Sequence, residues 1–184
     1  MIELEELGLL KMDFLGLRTL TVIRDAINLI KENQGKTINF DNFNYNDPDV
    51  LKMFARSETL GVFQFESSGM RAFLKELKPD EFSDLVAANA LFRPGPMKQI
   101  PKFVGSKHDK STISYIHPKL EPILKSTYGC IVYQEQVMQI VQQIGGYSLG
   151  RADIVRRAIS KKKMKVMEEE RKNFICLLYT SLMA

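Results

Sequence analysis

Along the first third of the chain, apolar and polar positions change period twice. In residues 7–15, LGLLKMDFL, Leu10, Met12 and Phe14 fall on one side and Lys11 and Asp13 on the other, the two-residue period of a half-buried strand. Gly16 follows, and RTLTVIRDAINLIKEN then reads as a helix with an apolar stripe of Leu20, Ile23, Ile27 and Ile30, stopped by Gly35. Residues 36–47 are polar and Asn-rich, as in a linker or surface loop. Asp47-Pro48 is a helix start signal, because Asp can cap the free amides and Pro fits the first turn. After that short helix, TLGVFQF reads as extended, and SSGMRAFLKEL and DEFSDLVAANALF as two helices broken at Lys78-Pro79 and ended by Arg93-Pro94-Gly95-Pro96. Residues 97–117 read as loop, HPKLEPIL as a short helix, GCIVYQ as extended, EQVMQIVQQIG as an amphipathic helix, and Ala152 to Asn173 as one last helical element. The expected fold class is mainly α, formally α+β with two or three short strands. Phe63, Phe65, Tyr128 and Tyr133 are expected to fill the core, and Gln134, Glu135 and Gln136 to form the polar start of a helix.

Composition adds bounds. The 184 residues suffice for one sizeable core, or for a small unit joined to a larger one, and a net charge of +4 does not by itself identify a polyanion partner. The placement of charge is more informative. Glu3, Glu5 and Glu6 open the chain, whereas Arg151 to Lys165 holds seven basic residues against one acid, Asp153. Cys130 and Cys176 form neither a metal-binding nor a disulfide pattern, His108 and His117 are isolated, and no secretory signal or membrane-length apolar run occurs. A reducing cytosol is the expected compartment. The opening does not read as a natural N-terminus.

Two places carry candidate chemistry. Lys11 and Asp13 would project from one strand face roughly 6.5–7 Å apart, where a carboxylate can hold a divalent metal and an ammonium can neutralise phosphate. A solvent-facing strand often carries such a pair without function, and a two-metal site needs more than one carboxylate. At the other end, a wheel of residues 154–166 puts Ile154, Val155, Ala158, Ile159 and Val166 on one side and Arg156, Arg157, Ser160, Lys161 and Lys163 on the other, with Lys162 straying onto the apolar flank. Paired arginines followed by lysines make a cationic ridge that suits a triphosphate or a nucleic-acid backbone. The same helix is also consistent with a non-catalytic nucleotide or nucleic-acid binder, or with a solvated face.

Five strings occur in order: KMDFLGLRTL, SETLGVFQFESSGM, ALFRPGP, TYGCIVYQEQVMQI and GYSLGRADIVRRAISKKK. Together they closely resemble the C-family replicative polymerases, the alpha subunits of bacterial DNA polymerase III, across residues 7–174. The resemblance implies that residues 1–35 are the C-terminal edge of a palm domain and residues 36–174 a helical fingers domain. Because the family would continue in a polar, charged register where this chain reads ICLLYTSLMA, it also implies that residues 175–184 are a non-native tail. It implies that Asp13 is a catalytic aspartate and metal ligand, and that Lys11 contacts the phosphates of the incoming nucleotide. Arg156 and Arg157 would meet the triphosphate, with Lys161 and Lys163 in support. It further implies two Mg2+ ions held partly by upstream aspartates outside this chain, with primer-template DNA, deoxynucleoside triphosphates (dNTPs) and other replisome subunits as partners and no membrane. On that basis this chain alone is expected to be inactive.

Overall fold

The computed structural model describes residue 4, residues 7–9, 12, 14 and 16, and residues 18–182. It comprises two units, Met1–Asn44 and Tyr45–Ala184. In the first, α1 (Arg18–Gln34) carries the expected stripe, yet none of its residues is buried, and Ile27 and Ile30 are only half covered. Gly35 takes φ +65° just past its end, as a helix stop should. The expected strand is not found among the described residues. Leu7 and Gly8 lie in a turn closed by Leu9 N donating to Leu4 O, and Met12 and Phe14 are 63% and 92% exposed. An isolated strand has no ladder to satisfy its amides and carbonyls, and the described part of this unit supplies none.

The second unit is helical. α2 (Pro48–Ala55) starts where Asp47-Pro48 places it, with the Asp47 carboxylate accepting from the Asp49 and Val50 amides. α3 (Ser68–Leu77) is capped by Ser67, and α4 (Phe82–Leu91) is closed by Asp84 reaching back to the Glu81 amide. α5 (Ile100–His108) lies inside the segment expected to be loop. Pro101 sits in its first turn, where no amide is needed, and Phe103 is fully buried. Only Ile100, Phe103 and Val104 mark its apolar side, so its period was too short to stand out. α6 (Glu121–Leu124) and α7 (Gln134–Gln143) follow. The element expected from Ala152 to Asn173 is two helices, α8 (Leu149–Ser160) and α9 (Met164–Leu182).

The main core gathers Leu51 and Phe54 of α2, Met70, Phe73, Leu74 and Leu77 of α3, Leu85, Ala88 and Leu91 of α4, and Phe103 and Cys130. Neither expected extended piece forms a ladder: residues 59–65 are successive turns, and residues 130–132 have no strand assignment. Gln136 is not a surface polar residue. It is buried, its side-chain oxygen accepts from the Val132 and Tyr133 amides, and its side-chain amide donates to Ile123 O and Thr127 Oγ1. A buried glutamine satisfied on both sides fixes where α7 begins.

Within this core sits a buried charged group that the sequence did not reveal. Asp84, 1% exposed, accepts from Lys107 Nζ at 2.8 Å, Tyr128 OH at 3.0 Å and the Asp80 and Glu81 amides. Lys107 also pairs with Asp80. Burial alone would lower Lys107, but hydrogen bonds to Asp80 and Asp84 outweigh it and raise the pKa; the bond from Lys107 lowers Asp80. Burial, helped by the Asp84 charge, pushes the Tyr128 phenol up to about 12, and burial does the same to Tyr147, helped by its bond to Glu170. A phenol raised in the fold stays protonated while its unfolded counterpart ionises near pH 10. Stability is therefore complete below about pH 10 and falls as pH rises towards 12. Thermal midpoints at pH 8, 10 and 11 should hold and then drop, with Tyr128 and Tyr147 among the tyrosines that titrate late at 295 nm. Early titration of every tyrosine in the folded chain contradicts this.

Candidate functional site

α8 begins at Ser148, whose hydroxyl accepts from the Arg151 amide. Its inward strip is narrow: Ala152 and Ala158 are buried, and Ala152 and Val155 pack in a cluster with Val141, Tyr147 and Phe174. Small residues let α8 approach closely, so the covered strip excludes Ile154 and Ile159, which were expected to face inward and are exposed. Val166 lies beyond the helix break and belongs to α9.

The arginines lie away from that strip and share one carboxylate. Arg156 Nε donates to Asp153 Oδ1 at 2.8 Å, and Arg157 Nε approaches Asp153 Oδ2 at 2.6 Å. Arg156 Nη1 also donates to Gln134 Oε1 at 3.0 Å, while Gln134 Nε2 donates to Ser160 Oγ at 3.2 Å. The hydrogen bond from Arg156 is the main cause holding the Asp153 carboxyl below its usual range. Two planar forks are thus oriented side by side at the surface, with side-chain exposures of 30% for Arg156 and 66% for Arg157. The donors on each fork not used by Asp153 or Gln134 can meet an anion. Asp153 was legible as an acid three and four residues before the arginines, whereas Gln134 comes from another helix and was not.

Lys161, Lys162 and Lys163 follow as an exposed run. Lys163 N donates to Ala158 O and Lys162 N to Ile159 O, the paired bonds of a left-handed helix stop, with Lys162 at φ +52°. The off-pattern Lys162 marks this break. Three ammonium groups also suit the negative end of the α8 dipole. Because Lys carries a Cβ in a conformation that favours glycine, Lys162→Gly should raise stability by about 0.5–1 kcal/mol, read by urea unfolding. A destabilised variant would mean that the Lys162 side chain makes up for its backbone strain.

α9 is seated on α8 by Arg151, which bonds Glu170 at 3.0 Å and lies 4.3 Å over the Tyr147 ring, while Tyr147 OH donates to Glu170 O. Gly145 is required here by contact: a Cβ would fall 2.7 Å from the Phe174 ring and 2.8 Å from Val141 O. α9 continues as one helix to Leu182, and Leu177 packs with the same cluster.

Arg156 and Arg157 are therefore brought together through Asp153, with Lys161 and Lys163 in the turn that follows. Lys11 and Asp13 lie outside the described residues. Among the described residues no three His, Cys, Asp or Glu side chains converge as a metal site. His117 caps the Lys119 amide and His108 bonds Glu76 O. Cys130 is buried and Cys176 exposed, neither in a disulfide, and no helix among the described residues is long and apolar enough to cross a membrane.

Comparison with known proteins adds an independent line. The family profile described as the bacterial DNA polymerase III alpha subunit finger domain matches residues 19–179. DNA polymerase III subunit alpha of Staphylococcus aureus (strain COL) is 49% identical over 175 residues, covering 95% of this chain and 16% of the relative. The subunit alpha of Halalkalibacterium halodurans is 51% identical over 171 residues, covering 93% of this chain and 15% of the relative. The chain thus spans only about a sixth of the length of these relatives. With the profile covering the α1 stripe, the buried Asp84 group and the double-arginine helix alike, the chain belongs to the bacterial DNA polymerase III alpha subunit finger-domain family.

Proposed function

We propose that this chain is the fingers portion, with an adjoining palm edge, of a bacterial replicative DNA-directed DNA polymerase, and that its double-arginine helix receives the triphosphate of the incoming dNTP. One observation supports this above the others: Arg156 and Arg157 are oriented together at the surface by a shared carboxylate within a chain of this family. Residues 1–35 would be the palm edge and 36–174 the fingers. The strand carrying Lys11 and Asp13 would form only against ladder partners from the rest of the polymerase.

In that enzyme the primer 3′ hydroxyl attacks the α-phosphate of the dNTP and pyrophosphate leaves. Charge grows on the phosphate oxygens, and little covalent work falls to the protein beyond positioning and electrostatic stabilisation. Arg156 and Arg157 would supply forked donors to those oxygens, Lys161 and Lys163 weaker point charges, and Lys11 a further ammonium. Asp153 limits the net charge of the arginine pair and prevents the forks from wandering before the nucleotide arrives. A divalent metal, expected to be Mg2+, does not fit the described residues as a site of their own. Asp13 would contribute one carboxylate and other parts of the polymerase the rest, so no step is derived through the metal. Primer-template DNA and other replisome subunits are the remaining partners under this proposal.

The test uses the full-length polymerase carrying this segment. Arg156→Ala and Arg157→Ala should each lower kcat/KM for single-nucleotide incorporation about 10- to 100-fold, the value of a charge-assisted hydrogen bond, with primer-template affinity kept within about two-fold. Arg156→Lys should not rescue, because a point charge cannot replace the fork held between Asp153 and Gln134. Weakened DNA binding with an unchanged nucleotide KM would make the ridge a DNA-backbone contact and overturn the assignment.

A further inference from the structure

Two of the most distinctive strings in the sequence, SETLGVFQFESSGM and ALFRPGP, send Met70 and Leu91 into the core but also carry exposed side chains that neither the core nor the ridge uses. The fold brings them to one end of the α3–α4 pair. Asn89 donates to Gln64 at 2.7 Å, and a Cβ on Gly69 would fall 2.8 Å from the Phe92 ring, so the turns before α3 and the turn after α4 lie against each other.

The first turn is held by a dense set of bonds. Ser57 Oγ donates to Arg71 O, Arg71 Nε donates back to Ser57 O, and the fully buried Thr59 donates its hydroxyl to Phe65 O at 2.6 Å. Ser57, Gly61 and Gln64 all take positive φ, so the chain reverses tightly within eight residues. This geometry sorts the side chains. Val62 and Phe65 pack into the core, Phe65 edge-on to Phe54, while Leu60 and Phe63 project outward at 73% and 71% exposure. The expectation that Phe63 fills the core is thereby overturned. On the neighbouring turn Arg93 is exposed, and neither Arg93 nor Lys98 has an ion-pair partner among the described residues. The acids nearby in sequence are Glu58, paired with Arg56, and Glu66, which makes no ion pair among the described residues.

We propose that this end is a second nucleic-acid contact, in which Phe63 stacks on an unpaired base of a DNA strand and Arg93, with Lys98, takes the adjacent phosphates. An outward aromatic ring on a well-bonded turn, with exposed cations on the neighbouring turn, is the combination that grips a single strand without reading its sequence. A protein partner fits less well. A stable interface buries roughly 800 Å² on each side, and Leu60 and Phe63 together offer only a fraction of that. The choice of DNA over protein rests on the polymerase proposal above; the surface itself does not involve the arginine ridge.

The experiment uses full-length polymerase and a single-stranded overhang carrying 5-iodouracil, which cross-links under near-ultraviolet light to an aromatic ring stacked on it. Cross-linking should map to Phe63, survive in Phe63→Tyr and disappear in Phe63→Leu, with overhang affinity about 5- to 100-fold weaker in the leucine variant. Arg93→Ala should reduce the slope of log affinity against log salt by about 0.7. Phe63 is solvent-exposed, so its variants should keep the native thermal midpoint. An absent Phe63 cross-link with unchanged affinities overturns the proposal, as does a Phe63→Leu phenotype confined to capture of another replisome protein. Arg157→Ala separates the two assignments. If it leaves nucleotide affinity intact while the Phe63 cross-link persists, the ridge reading fails and this one stands.

Discussion

Replacing Lys107 by alanine lowers the thermal midpoint of this chain by about 10 °C. Among the described residues Lys107 is the only cation bonded to Asp84, a carboxylate that is 1% exposed. Tyr128 OH and the Asp80 and Glu81 amides would remain as donors, but they are dipoles and leave the charge uncompensated. Removing one partner of a buried pair costs about 3–5 kcal/mol, and for a chain of this size each kcal/mol shifts the midpoint by about 2–4 °C. The lysine stem also passes near the Tyr128 ring, with Nζ 5.6 Å from its centroid, so truncation removes packing too. Asp80→Asn provides the contrast. Its side chain is largely exposed, and solvent screens its pairing with Lys107, so its loss should cost no more than about 1 kcal/mol. A Lys107→Ala midpoint within about 2 °C of the parent would mean that Asp84 accepts a proton or reaches water without penalty.

In the full-length polymerase, Asp13→Asn reduces primer extension by about 10²–10³-fold while primer-template affinity stays within about two-fold. Asparagine keeps the shape of aspartate but loses the anionic oxygen, so a loss confined to turnover points to charge and not to packing. The size is that of removing one preorganised electrostatic group from a transition state. Single-turnover incorporation beside equilibrium DNA binding separates the two effects. Silent Asp13→Asn together with weakened DNA binding in Arg156→Ala would identify a non-catalytic nucleic-acid module. Asp13 lies outside the described residues, so this prediction rests on the KMDFLGL string and the family, whereas the Lys107 prediction rests on geometry alone.

The sequence by itself determined what is local. Asp47 announced its helix because a capping side chain and its amides lie within three residues of each other, and Ser67 and Ser148 cap theirs by the same short reach. The cationic side of α8 was visible because Asp153, Arg156 and Arg157 are separated by one helical turn. Lys162 left the wheel pattern where the helix stops, although the sequence was read as one element through it. The tertiary structure decided which apolar faces are covered and which charges meet. Ile154 and Ile159 have the period of a buried face, yet α8 presents only its alanine strip to its neighbours. Phe63 and Phe65 are two residues apart with the same chemistry, and only the course of the turns puts one outside and the other inside. Asp84, Lys107 and Tyr128 read as an ordinary acid, base and aromatic until the fold closes separations of 23 and 44 residues around one carboxylate. Periodicity and capping depend on neighbours within about four residues, whereas burial and charge pairing depend on what distant segments bring, and no local pattern encodes that.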